Sequence, residues 1–435
     1  MDVYNLISFA GIFILIGFAW LLSADKKSMN FRVIIWGIGL QIIIGVFIFI
    51  VPVGSNLFSF VNNVVIKVLD SASAGAKFVF GRLALAPGQT SEVGEESLGF
   101  ILAFQAFPTI IFFSALIAIL YYFRIMPLII RAFAYVFTKF MRVSGAESLV
   151  AASNIFVGIE SALTVKPYLG RMTQSELCTI LTAGMATVAS NVLALYVFGL
   201  KAQFPTIAGH LVSASLLSAP AALVMSKIVF PEKDKPETLG IHVRPFYEKE
   251  STLFEAIING ANAGVKMIVG IVALLIAVLG LVALVDLFVS ALGTWIFGLE
   301  TELSLKTICG YIFYPLTIIL GVPVSDAGEV SKIIGERVIV TEVVAYKDLA
   351  VALEQNLLQH RRSAVITTYA LCGFAHLASM AIFVGGISAL APDKTRNIAA
   401  VALRALAAAT LACLMTACVA GTFFTEGKAS ILFGD

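Results

Sequence analysis

Two glutamates stand in largely apolar stretches: Glu160 in "FVGIESALTVKPYLG" (156–170) and Glu342 in "VIVTEVVAYKDLA" (338–350). At membrane depth each carboxylate would cost about 2.5–3.5 kcal/mol to insert, so it persists where it faces a polar cavity, a partner or a bound solute. A carboxylate accepts two hydrogen bonds at once, which suits the vicinal hydroxyls of a ribose. For Glu160 the plainer alternative is a salt bridge with Lys166 or a capping role. Asn154 and Thr187 each offer a hard oxygen. Interrupted segments also free backbone carbonyls, near Val157 and Val188, and such a cluster suits a desolvated Na+. The plainer alternative is that Asn154 caps a short helix and Thr187 bonds back to its own helix. His376 lies three residues before Ser379, on the same helix face. Its imidazole can donate one hydrogen bond and accept one, and with an ordinary pKa near ~6.5 it can also take a proton. A buried histidine satisfied by a carbonyl is equally consistent with the sequence. Phe374 beside it can stack on a planar ring or simply pack.

These residues need elements to hold them. The chain of 435 residues is 59% hydrophobic and 13% charged, with a mean hydropathy of +0.97, far from the charge content of a soluble domain. Runs at 5–23, 33–53, 99–123, 177–200, 203–226, 267–285, 363–392 and 405–424 are each long enough to cross a hydrocarbon core of about 30 Å as a helix. Helices are the default there, because lipid cannot satisfy free backbone groups. The expectation is an all-α polytopic membrane protein with about eight transmembrane helices. The net charge of +2 points to no nucleic-acid partner. Cys178, Cys309, Cys372, Cys413 and Cys418 lack metal-site spacing and read as small core residues. No P-loop or Gly-rich dinucleotide motif is present, which argues against an ATP-driven pump. The first segment lacks a basic n-region and a small-residue cleavage site, so it reads as a retained helix.

Basic residues place loop 24–32 and the polar central loop 231–253 inside, and the acidic 298–304 outside. Arg361 and Arg362 fit this topology poorly. Residues 56–92 and 127–142 read as amphipathic helices at the membrane surface. The second half echoes the first. In each, an interrupted Glu-containing stretch precedes an Ala-x-x-Ala-Ser helix, Ala186–Ser190 and Ala375–Ser379. Paired interrupted segments in two halves point to a transporter with its site at the repeat interface. The organisation expected is 1–92 as N-terminal scaffold, 93–230 as first repeat with a hairpin at about 143–170, and 254–435 as second repeat with a hairpin at about 318–350.

The segment 368–420, from "TYALCGFAHLASMAIFVGG" to "LMTACVAG", resembles the C-terminal signature of the concentrative nucleoside transporter family. "NIFVGIESALTVKPYL" (154–169) and "GERVIVTEVVAYKDL" (335–349) resemble its two hairpins, and "GMATVASNVLALYV" (184–197) resembles the broken helix after the first. The resemblance implies re-entrant hairpins, a homotrimer in the plasma (inner) membrane, and nucleoside import coupled to Na+ or H+, with no enzymatic activity and no cofactor. It implies Na+ ligands at Asn154, Val157, Thr187 and Val188, the two valines through their carbonyls. It implies ribose-binding roles for Glu342 and Ser379, base-facing positions at Val192 and Phe374, and a solute-facing first hairpin at Gly158, Ile159, Glu160 and Ser161. Two positions depart from the family pattern. A glutamine that binds the nucleobase is replaced by Ile159, or by Gly158 in the alternative register. A ribose-binding asparagine is replaced by His376. The ion site is therefore expected to be retained and the solute site re-cut.

Overall fold

The structure, a computed structural model, describes residues 2–91, 94–247, 250–297 and 303–425. Among these it is helical, with no β-strand. The N-terminal part comprises α1 (Val3–Leu21), α2 (Phe31–Phe49), α3 (Pro52–Phe80), α4 (Leu102–Gln105), α5 (Phe107–Tyr122) and α6 (Ile125–Met141). The first hairpin follows as α7 (Gly145–Asn154), a 3-10 segment Ile159–Val165 and α8 (Lys166–Leu169). Then come α9 (Gln174–Ala186), α10 (Ser190–Leu200), α11 (Ile207–Val229), α12 (Leu253–Phe297) and α13 (Leu305–Ile319). The second hairpin is α14 (Val324–Ile339) with α15 (Glu342–Glu354), followed by α16 (Arg361–Leu371), α17 (Leu377–Leu390) and α18 (Thr395–Phe423).

Seven spans among the described residues are long and apolar enough to cross a membrane. The run at 363–392 is not one of them. It is broken into α16 and α17 at Cys372–His376, as α9 and α10 are broken at Thr187–Ala189. The surface helices expected at 56–92 and 127–142 correspond to α3 and α6. The 99–123 run is interrupted at Ala106, and Gln105 donates to the carbonyls of Leu85 (2.8 Å) and Gly99 (2.7 Å). Of the acidic stretch expected outside, residues 298–302 lie outside the described residues.

Buried α9 and α11 pack against α18, whose Ala405, Ala409, Ala412 and Ala420 present no bulk and let the helices approach closely. In contrast α12, 45 residues and about 68 Å long, packs mainly on α5 and leaves most of its surface exposed.

Of the two arginines that fitted the topology poorly, Arg361 is exposed and Arg362 has internal partners. Arg362 is 4% exposed. Its guanidinium donates to the carbonyls of Gly321, Tyr4 and Gly421 (2.8 Å each) and to Ser8 Oγ (2.7 Å), tying α1 and α18 to the turn before α14. Gly321 turns there with φ +84°, and a Cβ would strike Ser8 Oγ. Asp326 caps the start of α16, accepting from the backbone of Gln359 and His360 and from Ser363 Oγ.

At the other end of the protein, two capping boxes start α7 (Ser144 with Glu147) and α9 (Thr173 with Glu176). Lys227, in the last turn of α11, joins them. Its Nζ lies 2.5 Å from Glu147, 3.2 Å from Glu232 and 2.9 Å from Ser175 Oγ, and Thr173 Oγ1 donates to Glu232. Lys227 and Glu147 are both buried. Removing one partner of such a pair strands the other charge, at about 3–5 kcal/mol. Lys227→Met is expected to lower the thermal midpoint in detergent sharply, and adding Glu147→Leu to recover most of the loss. Equal midpoints for Lys227→Met and wild type would show that the pair holds nothing together.

Candidate functional site

The two hairpins point toward the two helix breaks. At the first tip, Ser190 N–H donates to the Phe156 carbonyl (3.0 Å), and a Cβ on Gly158 would lie 3.3 Å from Ala189 Cβ. At the second, the chain turns at Val340 and Thr341 and restarts as α15 at Glu342. The breaks also touch each other: a Cβ on Gly373 would fall 2.9 Å from the Ala186 carbonyl oxygen and 2.6 Å from Cys413 Sγ. Only a residue without a side chain fits that approach.

Between these elements is a cavity of about 150 Å³, lined by Gly158, Glu160, Val192, Glu342, Phe374, His376 and Ser379. These positions come from four separate parts of the chain. Ser161 does not join them. It is 2% exposed and lines neither this cavity nor its neighbour, because the 3-10 turn places Glu160 and Leu163, three apart, on the open face instead. The side chain of Ile159 lies outside the described residues.

Glu342 is 3% exposed and is the first residue of α15, at the positive end of the helix dipole. The Tyr196 hydroxyl donates to its Oε1 at 2.7 Å. His376 Nε2 lies 2.8 Å from its Oε2 and 2.7 Å from Ser379 Oγ. The Ser379 backbone N–H donates to His376 Nδ1 (3.2 Å), capping α17. Because Nδ1 accepts there, the network assigns the ring hydrogen to Nε2, aimed at Glu342 and Ser379. Tyr196 is a partner that the sequence reading missed. It lies one turn beyond Val192 on α10, and that spacing was the available signal. Its ring stacks on Tyr346 (4.4 Å), whose hydroxyl donates to the Thr368 carbonyl (2.9 Å). Thr341 was missed as well; its buried hydroxyl, on a cavity-lining residue, has no hydrogen-bond partner among the described residues.

The polar groups all come from the hairpins and broken helices. The facing wall, from α12, is Met267, Ile271, Leu274 and Leu275. A second cavity of about 360 Å³ adjoins the first at Glu160 and Met267, which line both. Phe246 of the central loop is hydrogen-bonded across it through its N–H to the Thr164 carbonyl (2.8 Å), and Lys166 Nζ lies above the Phe246 ring.

Asn154, the last residue of α7, is fully buried. Its Nδ2 donates to the Val150 carbonyl (3.1 Å), while Oδ1 has no partner among the described residues. Thr187, at the end of α9, donates from Oγ1 to the Ala183 carbonyl (2.9 Å). The Val188 carbonyl accepts only a long 3.5 Å contact from Ser215 Oγ. The plainer alternatives thus hold for the Thr187 hydroxyl and the Asn154 amide hydrogens, but not for the Asn154 oxygen. A buried acceptor left unpaired costs about 1–3 kcal/mol. It sits where two helix C-termini converge, each carrying about half a negative charge. Hard oxygens in such a field suit a small hard cation. Among the described residues there is no His/Cys/Asp/Glu cluster suited to a transition metal.

Comparison with known proteins bears on this arrangement. Residues 10–83 and 210–421 match the N-terminal and C-terminal regions of the Na+ dependent nucleoside transporters, and 103–203 match a nucleoside recognition gate region. The chain is 38% identical to solute carrier family 28 member 3 of Mus musculus over 432 residues, covering 96% of this chain but 58% of that protein. It is 36% identical to nucleoside permease NupC of Helicobacter pylori, covering 96% of this chain and 98% of that one. It superposes on the solved structure of CNTnw in an inward-facing substrate-bound state with a TM-score of 0.86, 34% identity, and coverage of 97% and 98%. With this identity sustained along nearly the whole of the Helicobacter pylori permease and of CNTnw, and with the same helical architecture, the chain belongs to the concentrative nucleoside transporter family, as a multi-pass integral membrane protein and not an enzyme.

Proposed function

We propose that the chain is a secondary active symporter that imports nucleosides or nucleoside-like solutes, driven by a Na+ gradient. The observation that carries this reading is the buried Glu342 carboxylate, held by Tyr196 and His376 in a cavity walled on its other side by apolar residues. The carboxylate and Ser379 take the ribose hydroxyls, His376 positions both, and Phe374 and Val192 flank the base. Asn154 Oδ1, Thr187 and the Val157 and Val188 carbonyls take Na+. A site without the base-reading amide at 158–159 discriminates poorly by hydrogen bonding, so base preference follows ring shape. The larger cavity lies beside the central loop, the side read as cytoplasmic, and so the solute would leave that way. The bare, apolar α12 supports contact with lipid and with further copies in a homotrimer. The Nδ1 cap on α17 argues against a proton-carrying His376, since an imidazolium would turn a second hydrogen toward the Ser379 N–H.

Radiolabelled uridine and inosine uptake into proteoliposomes is expected to require a Na+ gradient; equal rates in K+ would remove the coupling. Glu342→Gln is expected to lose about 10- to 100-fold in uptake efficiency for uridine, the scale of hydrogen bonds to a charged group. It should lose little for 3′-deoxyuridine, which lacks one of the hydroxyls that Glu342 would bind. Equal losses for both would place Glu342 away from the sugar. Uptake by wild type and by His376→Asn is expected to vary with pH in parallel between pH 6 and 8. A wild-type dependence abolished in His376→Asn would make His376 a proton carrier.

A further inference from the structure

Arg337 is the largest side chain wholly shut off from solvent, and the transport reading gives it no task. It sits in the last turn of α14, where Nη1 donates to the Ala370 carbonyl at 2.6 Å. Ala370 is the penultimate residue of α16, just before the second helix break. Nε and Nη2 reach no oxygen acceptor among the described residues, where the weakly accepting Cys413 thiol is the polar group beside the guanidinium, and no ion pair to Arg337 exists among them. A buried, unpaired guanidinium is costly unless something else supplies negative potential.

The source of that potential is the repeat itself. In the first half, the first arm of the hairpin (α7) packs on the first half of the broken helix (α9). Their C-termini, at Asn154 and Thr187, converge beside Ser190 and Phe156. In the second half, the first arm (α14) packs on α16 in the same way, and their C-termini meet at Arg337 and Ala370. Each pair sums two negative dipole ends in a dry interior. The first pair offers an orphaned acceptor, Asn154 Oδ1; the second offers orphaned donors on a fixed cation. The two positions are electrostatic equivalents, one open to an ion and one already filled.

We propose that Arg337 is a tethered cation occupying the second-repeat counterpart of the Na+ site, so that the chain binds one exchangeable Na+ and not two. This rests on the Na+ reading of Asn154 and Thr187. It also gives Arg337 a positioning role: by holding α14 against α16 it fixes the turn that presents Glu342.

The test counts ions. Binding of ²²Na+ to the purified chain in detergent is expected to saturate at one per protein with a hyperbolic isotherm, for wild type and for Arg337→Lys, which keeps the charge. Arg337→Asn recreates the amide of the first repeat in place of the cation. It is expected to take up a second Na+, to need higher Na+ for half-maximal stabilisation in thermal unfolding, and to show a Hill coefficient rising from about 1 toward about 2. One Na+ on a folded Arg337→Asn, with an unchanged isotherm, overturns the proposal. So do two Na+ on the wild type, a result that stands even if the variant does not fold. No Na+ on the wild type instead overturns the coupling reading, an outcome separate from one Na+ on both.

Discussion

A helix that stops halfway across a bilayer exposes carbonyls and amides that hydrocarbon cannot satisfy. In this protein helices stop four times in the buried interior, at Asn154, Ala186, Ile339 and Leu371, and the chain becomes helical again a few residues later each time. The cost is met collectively. The breaks lean on one another, as Gly373 does on Ala186, and the hairpin tip bonds to the break at Ser190. Free C-termini converge at the unpaired Asn154 oxygen and at Arg337, while free N-termini receive polar side chains, with Glu342 opening α15 and His376 capping α17. The polar centre is thus the required complement of interrupted helices, and binding chemistry is built from the same groups that make the fold permissible.

Much of this was legible in the sequence. Apolar runs gave the spans because bilayer thickness fixes helix length. Gly158, Pro167, Gly321 and Pro323 marked the interrupted segments because each disfavours a continuing helix. The echo between Ala186–Ser190 and Ala375–Ser379 pointed to a repeat, and in the structure both stretches fall at helix breaks. What escaped was what depends on depth and partner. A run such as 363–392 keeps its hydropathy across a break, since the broken residues Cys372–Ala375 are themselves apolar or small. Arg362 looked like a topology signal, because composition cannot tell a loop cation from one that cross-links α1, α18 and a turn internally. Tyr196 looked like any membrane aromatic until Glu342 was placed opposite it. Ser161 was drawn into the site by the resemblance of the first hairpin to the family motif, and the 3-10 turn buries its side chain away from the cavity.

Of the departures from the family pattern, at Ile159 or Gly158 and at His376, Gly158 and His376 line the smaller cavity, while the oxygens at Asn154 and Thr187 are intact. The structure separates these groups physically. The cavity lies against the N-terminal ends of α15 and α17, and the orphaned oxygen lies at the C-terminal ends of α7 and α9. One can be altered while the other is left alone, because their electrostatic requirements have opposite sign.

The wall that α12 contributes, Met267, Ile271, Leu274 and Leu275, has no group that can donate or accept. Whatever sits in the cavity therefore finds its polar partners on the hairpins and broken helices and meets α12 through shape alone, so a change at these four positions alters the room in the cavity without removing a hydrogen bond.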